Sequence, residues 1–75
     1  MKIVDIKLSS IEDVRNFVNI VSKYEIDIDL SSGRYVVDAK SIMGIFSLDL
    51  LKPIQLTAHT EDAEALMAEI KPYMI

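Results

Sequence analysis

Apolar residues recur along this chain with two periods, which predict an alternation of strands and helices. A period of two is typical of a strand with one face on a core, and it predicts a first strand at residues 2–8 and a fourth strand that starts after Pro53. A period of three to four predicts a first helix from Ile11 to Lys23 and a last helix that residues 60–62 cap and Pro72 ends. The inward-facing residues of these elements are Val4, Ile6, Leu8, Val14, Phe17, Val18, Val21, Ile54, Leu56, Ala58, Ala63, Leu66, Met67 and Ile70.

The middle of the chain has the pattern of a hairpin followed by a short helix. Residues 26–30 alternate apolar and acidic side chains, residues 31–33 favour a turn, and residues 34–39 return as an antiparallel strand. Ser41 then caps a helix of about two turns. Because Gly44 has a low helix propensity, packing of the apolar side chains of this helix must help to hold it.

The predicted order of elements is β-α-β-β-α-β-α. Each element has one apolar side, and these sides are buried together when the helices pack on one face of an antiparallel sheet. The sequence therefore predicts an α+β fold in which a four-stranded antiparallel sheet carries three helices on one face. The 75 residues are expected to form a single domain, residues 1–75, which buries only about 60% of the surface of its unfolded chain.

Composition excludes several kinds of site and partner. The sequence has no cysteine and one histidine, so it offers no disulfide and no thiolate or histidine metal cluster, and we predict no cofactor. A net charge of −4 disfavours nucleic acid as a partner, because few cations are available to replace its counterions. The start of the chain lacks the apolar run of a signal peptide, which indicates a cytoplasmic protein without membrane contact. Other proteins are the expected partners.

The most specific pattern joins the third strand to the short helix through Ser41. Residues 21–48 contain the segments Ser22-Lys23-Tyr24, Asp27-Ile28-Asp29-Leu30 and Lys40-Ser41-Ile42-Met43-Gly44. With these segments the chain resembles, without a gap, the HPr family of small phosphocarriers in the bacterial sugar phosphotransferase system. The resemblance implies an HPr-like open-faced β-sandwich and a function related to the phosphoenolpyruvate-dependent phosphotransferase system.

The start of the first helix departs from this family. Counting back from Tyr24, the family's His-x-Arg-Pro falls on residues 10–13, so Ser10 replaces the phosphate-accepting histidine and Glu12 replaces the arginine. A histidine forms a labile phosphoramidate, whereas a serine hydroxyl needs a base and forms a stable ester. Glu12 would also repel a phosphate by roughly 1 kcal/mol or more. We therefore predict a degenerate carrier site at Ser10, Glu12 and Asp13, where these residues cap the helix and pair with its dipole.

His59 is the one other residue that could carry phosphate through a ring nitrogen. It is expected on the polar face at the far end of the fourth strand, about a strand length, ~17 Å, from Ser10. This position favours a solvent-facing structural histidine over a carrier.

Ser41 matches the serine that a dedicated ATP-dependent kinase phosphorylates in Gram-positive members of the family. The resemblance implies regulatory phosphorylation of Ser41 and protein binding by Lys40, Ile42, Met43 and Phe46. The implied partners are an HPr-type kinase, phosphotransferase-system enzymes or a transcriptional regulator of carbon catabolite control. A phosphate would add about −1.5 to −2 charges at a helix start without disturbing the fold. The alternative is that Ser41 only caps its helix, a contribution of about 1 kcal/mol.

Three hypotheses about function stay open. The first is a non-enzymatic HPr-like binding or regulatory protein controlled at Ser41, and the second is a phosphocarrier that uses an atypical residue. The third is a structural or assembly module that self-associates through Leu50, Leu51 or the C-terminal residues 73–75. An independent enzyme is not expected, because no pair of titratable groups converges on one site.

Overall fold

The computed structural model describes residues 1–75. The elements follow the predicted order: β1 (Lys2–Ile6), α1 (Ile11–Val21), β2 (Ile28–Ser32), β3 (Tyr35–Asp38), α2 (Ile42–Phe46), β4 (Ile54–Ala58) and α3 (Glu64–Ile70), followed by a 3₁₀ turn at Lys71–Tyr73.

The four strands form one antiparallel sheet in the spatial order β1-β4-β2-β3. Leu30 on β2 lies opposite Leu56 on one side and Val37 on the other, which aligns the apolar face across the sheet. Because a shift of one residue would turn every side chain of a strand to the opposite face, burial of Leu30 and Leu56 fixes this register.

The three helices cover one face of the sheet and leave the other open. All sixteen buried residues are apolar, and they form one cluster that includes Val14, Phe17 and Val21 of α1. The uncovered face carries two rows of mainly polar residues from β1 across to β3. These rows are Ile3, Thr57, Asp29, Asp38 and Asp5, Gln55, Ser31, Val36. The predicted α+β architecture is confirmed, and none of its helices has the length and apolar character needed to cross a bilayer.

Several element boundaries differ from the prediction. β1 ends at Ile6, although Leu8 beyond it is still buried. α1 ends at Val21, and the next residues form turns, with the amide of Tyr24 bonded to the carbonyl of Val21. The predicted turn at residues 31–33 is confirmed for Gly33 and wrong for Ser31 and Ser32, which pair with β3 as part of β2.

The hairpin turn consists of Gly33 and Arg34, and Gly33 has φ of 60°. Only glycine adopts this conformation readily, so the glycine sets the place of the turn. The helix α3 begins at Glu64, after the predicted cap at residues 60–62. The cap residue is Ala63, which is buried and has no side-chain hydrogen bond to the helix.

The C-terminal residues lie along the outer edge of β1. The amide of Lys7 donates to the carbonyl of Tyr73 at 2.8 Å, and the amide of Ile75 donates to the carbonyl of Asp5 at 3.1 Å. Met74 forms a bridge with Ile6 between these two bonds. One edge of the sheet is therefore covered by the chain itself.

Candidate functional site

Ser10 is the N-cap of α1. Its Oγ accepts a hydrogen bond from the amide of Asp13 at 3.0 Å, and the Asp13 carboxylate accepts one from the amide of Ser9 at 3.0 Å. The first bond satisfies one of the unpaired amides at the helix start, and the second satisfies the amide of the residue before the cap. The Ser10 hydroxyl bonds to no side-chain base, so nothing in the site activates it as a nucleophile.

Two side chains near Ser10 in the first turn of α1 are negatively charged. Glu12 and Asp13 both lie in the first turn of α1. The nearby Tyr73 packs edge-on against Phe17, with ring centroids 6.0 Å apart. Burial raises the pKa of Tyr73, and the negative charges of Asp13 and then Glu12 raise it further. The same charges would oppose an incoming phosphate.

His59 follows β4 at the end of the sheet opposite to Ser10. The register pairs Lys2 with Ala58 and Ile6 with Ile54, so His59 lies beyond the first residue of β1 whereas Ser10 follows its last. The Nε2 atom of His59 lies 2.7 Å from the carboxylate of Asp29 on the open face. This side chain is 44% exposed, and its hydrogen-bond partners are Asp29 for the ring and Asp27 for the amide, neither of which belongs to α1.

An open pocket of about 430 Å³ surrounds His59. Three aspartates, Asp27, Asp29 and Asp38, line it together with Lys40. No group of three or more acidic, histidine or cysteine side chains has the geometry of a metal site. The pocket therefore offers acidic surroundings and no cationic hollow for phosphate.

Ser41 is the N-cap of α2. Its amide donates to the carbonyl of Asp38 at 3.0 Å, and its Oγ accepts from the amide of Gly44 at 3.1 Å. The side chain is exposed, and the first turn of α2 contains no acid. Ser41 thus has the same capping contact as Ser10 with different charges beside it.

Gly44 has a packing role that the sequence did not indicate. A Cβ atom at this position would lie 3.1 Å from the Cβ of Val37 and 3.2 Å from the Oγ of Ser41. Both distances are tighter than ordinary van der Waals contact, so the glycine lets α2 approach β3 and lets Ser41 close its cap. The signal in the sequence was the low helix propensity alone.

The helix α2 divides its apolar side chains between the core and the solvent. Ile45 is fully buried and Ile42 packs partly against the core. Met43 and Phe46 are 77% and 40% exposed. We call Ser41, Met43 and Phe46 together the α2 patch, a polar hydroxyl beside two exposed apolar side chains.

Lys40 precedes the α2 patch, but its ammonium is engaged within the chain. The Nζ atom donates to the carbonyl of Tyr24 at 2.6 Å, just beyond the end of α1. Its amide donates to the carboxylate of Asp38 at 2.9 Å. A partner that binds Lys40 through its charge would have to share or break the bond to Tyr24.

Of the two other predicted association surfaces, Leu50 packs partly on the core and Leu51 is 86% exposed. Ile75 at the C-terminus is also exposed.

A polar cluster that the sequence did not indicate joins the turns after α1 to α3. The carboxylate of Glu69 accepts hydrogen bonds from the ammonium of Lys23, at 2.6 Å, and from the hydroxyl of Tyr24. These bonds, first that of Lys23 and then that of Tyr24, lower the pKa of Glu69, and the bond to Glu69 raises the pKa of Tyr24. Glu69 is 46 positions from Lys23 and 45 from Tyr24 along the chain, so no local pattern could reveal the cluster.

Comparison with protein families and solved structures relates this arrangement to known proteins. Residues 13–74 match the family model described as PTS HPr component phosphorylation site. A crystal structure of HPr-C-His from Thermoanaerobacter tengcongensis is 29% identical, with a TM-score of 0.80 over 96% of this chain and 89% of that one. The phosphocarrier protein HPr from Bacillus anthracis is 28% identical, with a TM-score of 0.72 over 99% of this chain and 94% of that one. The search of curated proteins finds no match.

The family match includes the whole of one serine-capped helix start and only part of the other. It begins at Asp13, so it includes Ser41 and the whole α2 patch and leaves out Ser10 and Glu12. The unmatched residues 1–12 contain β1 and two of the three residues of the predicted changed carrier site, whereas the third, Asp13, lies inside the match.

Proposed function

The chain belongs to the HPr family of phosphotransferase-system phosphocarriers, and we propose that this member binds and regulates other proteins without relaying phosphate itself. Proteins of this family carry phosphate for others and are not enzymes in themselves. Phosphorylation of Ser41 by an HPr-type kinase would control the binding, and the α2 patch would supply the apolar contacts.

The environment of Ser10 is the observation that carries the proposal. A phosphate accepted there would meet Glu12 and Asp13 in the same helix turn. The Ser10 hydroxyl already accepts the amide of Asp13 and has no base beside it. A phosphoramidate relay needs a ring nitrogen and a cation to pair with the phosphate oxygens, and neither is in contact with Ser10.

The environment of Ser41 supports the regulatory part. Its Oγ accepts from the Gly44 amide, and this oxygen can still accept that bond when it carries a phosphate ester. No acid lies in the first turn of α2, so about −1.5 to −2 added charges meet less repulsion there than beside Ser10. The exposed Met43 and Phe46 follow Ser41 by two and five residues on the same short helix, and together with the new charge they would present a recognisable surface to a partner.

Incubation with the general phosphotransferase enzyme and phosphoenolpyruvate tests the first part of the proposal. We expect no acid-labile phosphate on this protein under conditions that fully phosphorylate a histidine-containing HPr. Acid-labile phosphate on the wild-type chain would contradict the proposal and support the alternative of an atypical carrier. His59→Ala would then show whether His59 holds the phosphate.

Incubation with an HPr-type kinase and ATP tests the second part. We expect one acid-stable phosphate by intact-protein mass spectrometry, abolished by Ser41→Ala and retained by the matched cap variant Ser10→Ala. No incorporation into a folded wild-type protein would contradict the regulatory role of Ser41. Stable oligomers without kinase reactivity would favour the structural or assembly module instead.

A further inference from the structure

The two edges of the sheet differ in what covers them. The outer edge of β1 is paired with the C-terminal residues 73–75 through two backbone hydrogen bonds. β3 (Tyr35–Asp38) is the other edge, and no segment of the chain pairs with its outer side. An uncovered edge strand presents amides and carbonyls that can pair with a further strand.

The register shows which backbone groups of β3 point outward. The carbonyl of Ile28 accepts the amide of Ala39, and the carbonyl of Asp27 accepts the amide of His59. Even-numbered residues of β2 therefore bond toward β3, and odd-numbered ones toward β4. The bonded pairs are Leu30 with Val37 and Ser32 with Tyr35, so the backbone groups of Val36 and Asp38 point away from β2. The carbonyl of Asp38 already accepts the amide of Ser41 at 3.0 Å, so the amide and carbonyl of Val36 are the central groups left for pairing.

The side chains in the middle of this edge strand are exposed and uncharged. Tyr35 and Val36 are 67% and 65% exposed, and no charged residue lies between Arg34 and Asp38. Natural edge strands often carry a lysine, a proline or a bulge that discourages pairing. Arg34 takes part in none of the three salt bridges of the structure, so its charge is free for an external partner.

We propose that β3 pairs in antiparallel fashion with β3 of a second copy of this chain, centred on Val36, to form a continuous eight-stranded sheet. In this register Val36 lies opposite the partner subunit's Val36, and Tyr35 opposite the partner subunit's Val37. Arg34 lies opposite the partner subunit's Asp38, and the two-fold axis repeats each of these contacts. This inference is independent of the proposed function.

Charge complementarity at the strand ends favours a second copy over an unrelated strand. Arg34, Val36 and Asp38 alternate with the pleat and project on the same face of the sheet. Two Arg34–Asp38 pairs would therefore flank the Val36 contact. The Asp38 carboxylate uses Oδ1 for the amide of Lys40, which leaves Oδ2 for the guanidinium. A contact of one short strand is small, so we expect weak association, with a dissociation constant on the order of 100 μM.

Val36→Pro tests the backbone pairing by sedimentation equilibrium across that concentration range. A proline removes an amide that points outward from an edge strand, so the monomer should keep its fold. The dissociation constant should rise by about tenfold or more, because the two central hydrogen bonds are lost. Circular dichroism checks that the variant is folded.

Charge reversal tests the register and does not depend on the proline variant. Arg34→Glu should weaken the dimer by about fivefold, since both ends then carry like charges. Arg34→Glu combined with Asp38→Lys should restore the wild-type dissociation constant to within about twofold, because the pairs reform with reversed sign. Recovery in the double variant would support this pairing specifically.

Either of two results would overturn the inference. One is a wild-type chain that stays monomeric up to about ten times the expected dissociation constant. The other is a dimer that neither Val36→Pro nor Arg34→Glu weakens, which would place the contact at another surface such as Leu51 or the C-terminal residues.

Discussion

The starts of α1 and α2 have the same cap and different neighbours. In each, a serine Oγ accepts the amide three residues on, at 3.0 Å for Ser10 and 3.1 Å for Ser41. The first turn of α1 then carries two acids, whereas that of α2 carries none. α1 has eleven residues with three of them buried, and α2 has five residues with one buried.

The difference shows that local geometry does not decide what a capping serine can do. In each helix the serine hydroxyl accepts the otherwise unpaired amide of the third helical residue. Glu12 and Asp13 make the surroundings of Ser10 unfavourable for phosphate, while Ser41 has exposed apolar side chains beside it. The chemistry that each serine can support is therefore set by the residues next in sequence. The two helices also differ in how many buried side chains anchor them in the core.

The largest expected effect concerns this anchoring. Phe17 is fully buried on α1 and Phe46 is 40% exposed on α2. Phe17→Ala should lower the free energy of unfolding by about 3–5 kcal/mol, because it removes a buried ring and leaves a cavity. Phe46→Ala is the matched change on the second helix and should cost less than about 1 kcal/mol. Urea denaturation followed by circular dichroism measures both.

The change Phe46→Ala can also be tested through phosphorylation and partner binding. Phe46→Ala should leave kinase modification of Ser41 possible while weakening the binding of a partner to the phosphorylated protein. Equal costs for the two changes in the denaturation experiment would mean that Phe46 belongs to the core, and the α2 patch would lose its apolar part.

The fold could be predicted from the sequence because its signals are periodic and local. The alternation of Ile54, Leu56 and Ala58 predicted a strand with one buried face, and all three side chains are buried. Such patterns depend only on side-chain spacing along one element, so they can be read without knowing which other elements that element contacts.

Features that depend on contacts between elements could not be predicted in this way. The hairpin turn falls two residues later than the serines suggested, because Ser31 and Ser32 are held in β2 by pairing with β3. The close contact of Gly44 with Val37 requires the packing of α2 on β3. The residue types at both positions were visible, but their roles are fixed by tertiary contacts.

A smaller expected effect tests the charges beside the two caps. Aspartate caps a helix about as well as serine, so Ser41→Asp should change the free energy of unfolding by no more than about 0.5 kcal/mol. Ser10→Asp places a third negative charge beside Glu12 and Asp13, and it should cost about 0.5–1 kcal/mol more. Thermal or urea denaturation at low ionic strength gives the difference.

Salt provides the control for this pair of variants. Raising the ionic strength to about 1 M shortens the screening length to about 3 Å. The extra loss of unfolding free energy in Ser10→Asp should then largely disappear, whereas the unfolding free energy of Ser41→Asp relative to the wild type should stay unchanged. If the two variants are equally stable at low salt, the negative charges in the first turn of α1 do not make Ser10 a less favourable place for a further negative charge than Ser41.

The smallest expected effect is at the far end of α1, where Glu69 of α3 accepts bonds from Lys23 and Tyr24. These bonds lower the folded-state pKa of Glu69 below its ordinary value of 4.5, so their contribution is present above that value and is lost as the pH falls through the folded-state pKa. Glu69→Gln keeps a hydrogen-bond acceptor but cannot titrate. Between about pH 6 and about pH 3 the wild type should therefore lose more stability in urea than this variant, and parallel pH profiles would show that the cluster does not stabilise the contact between α1 and α3.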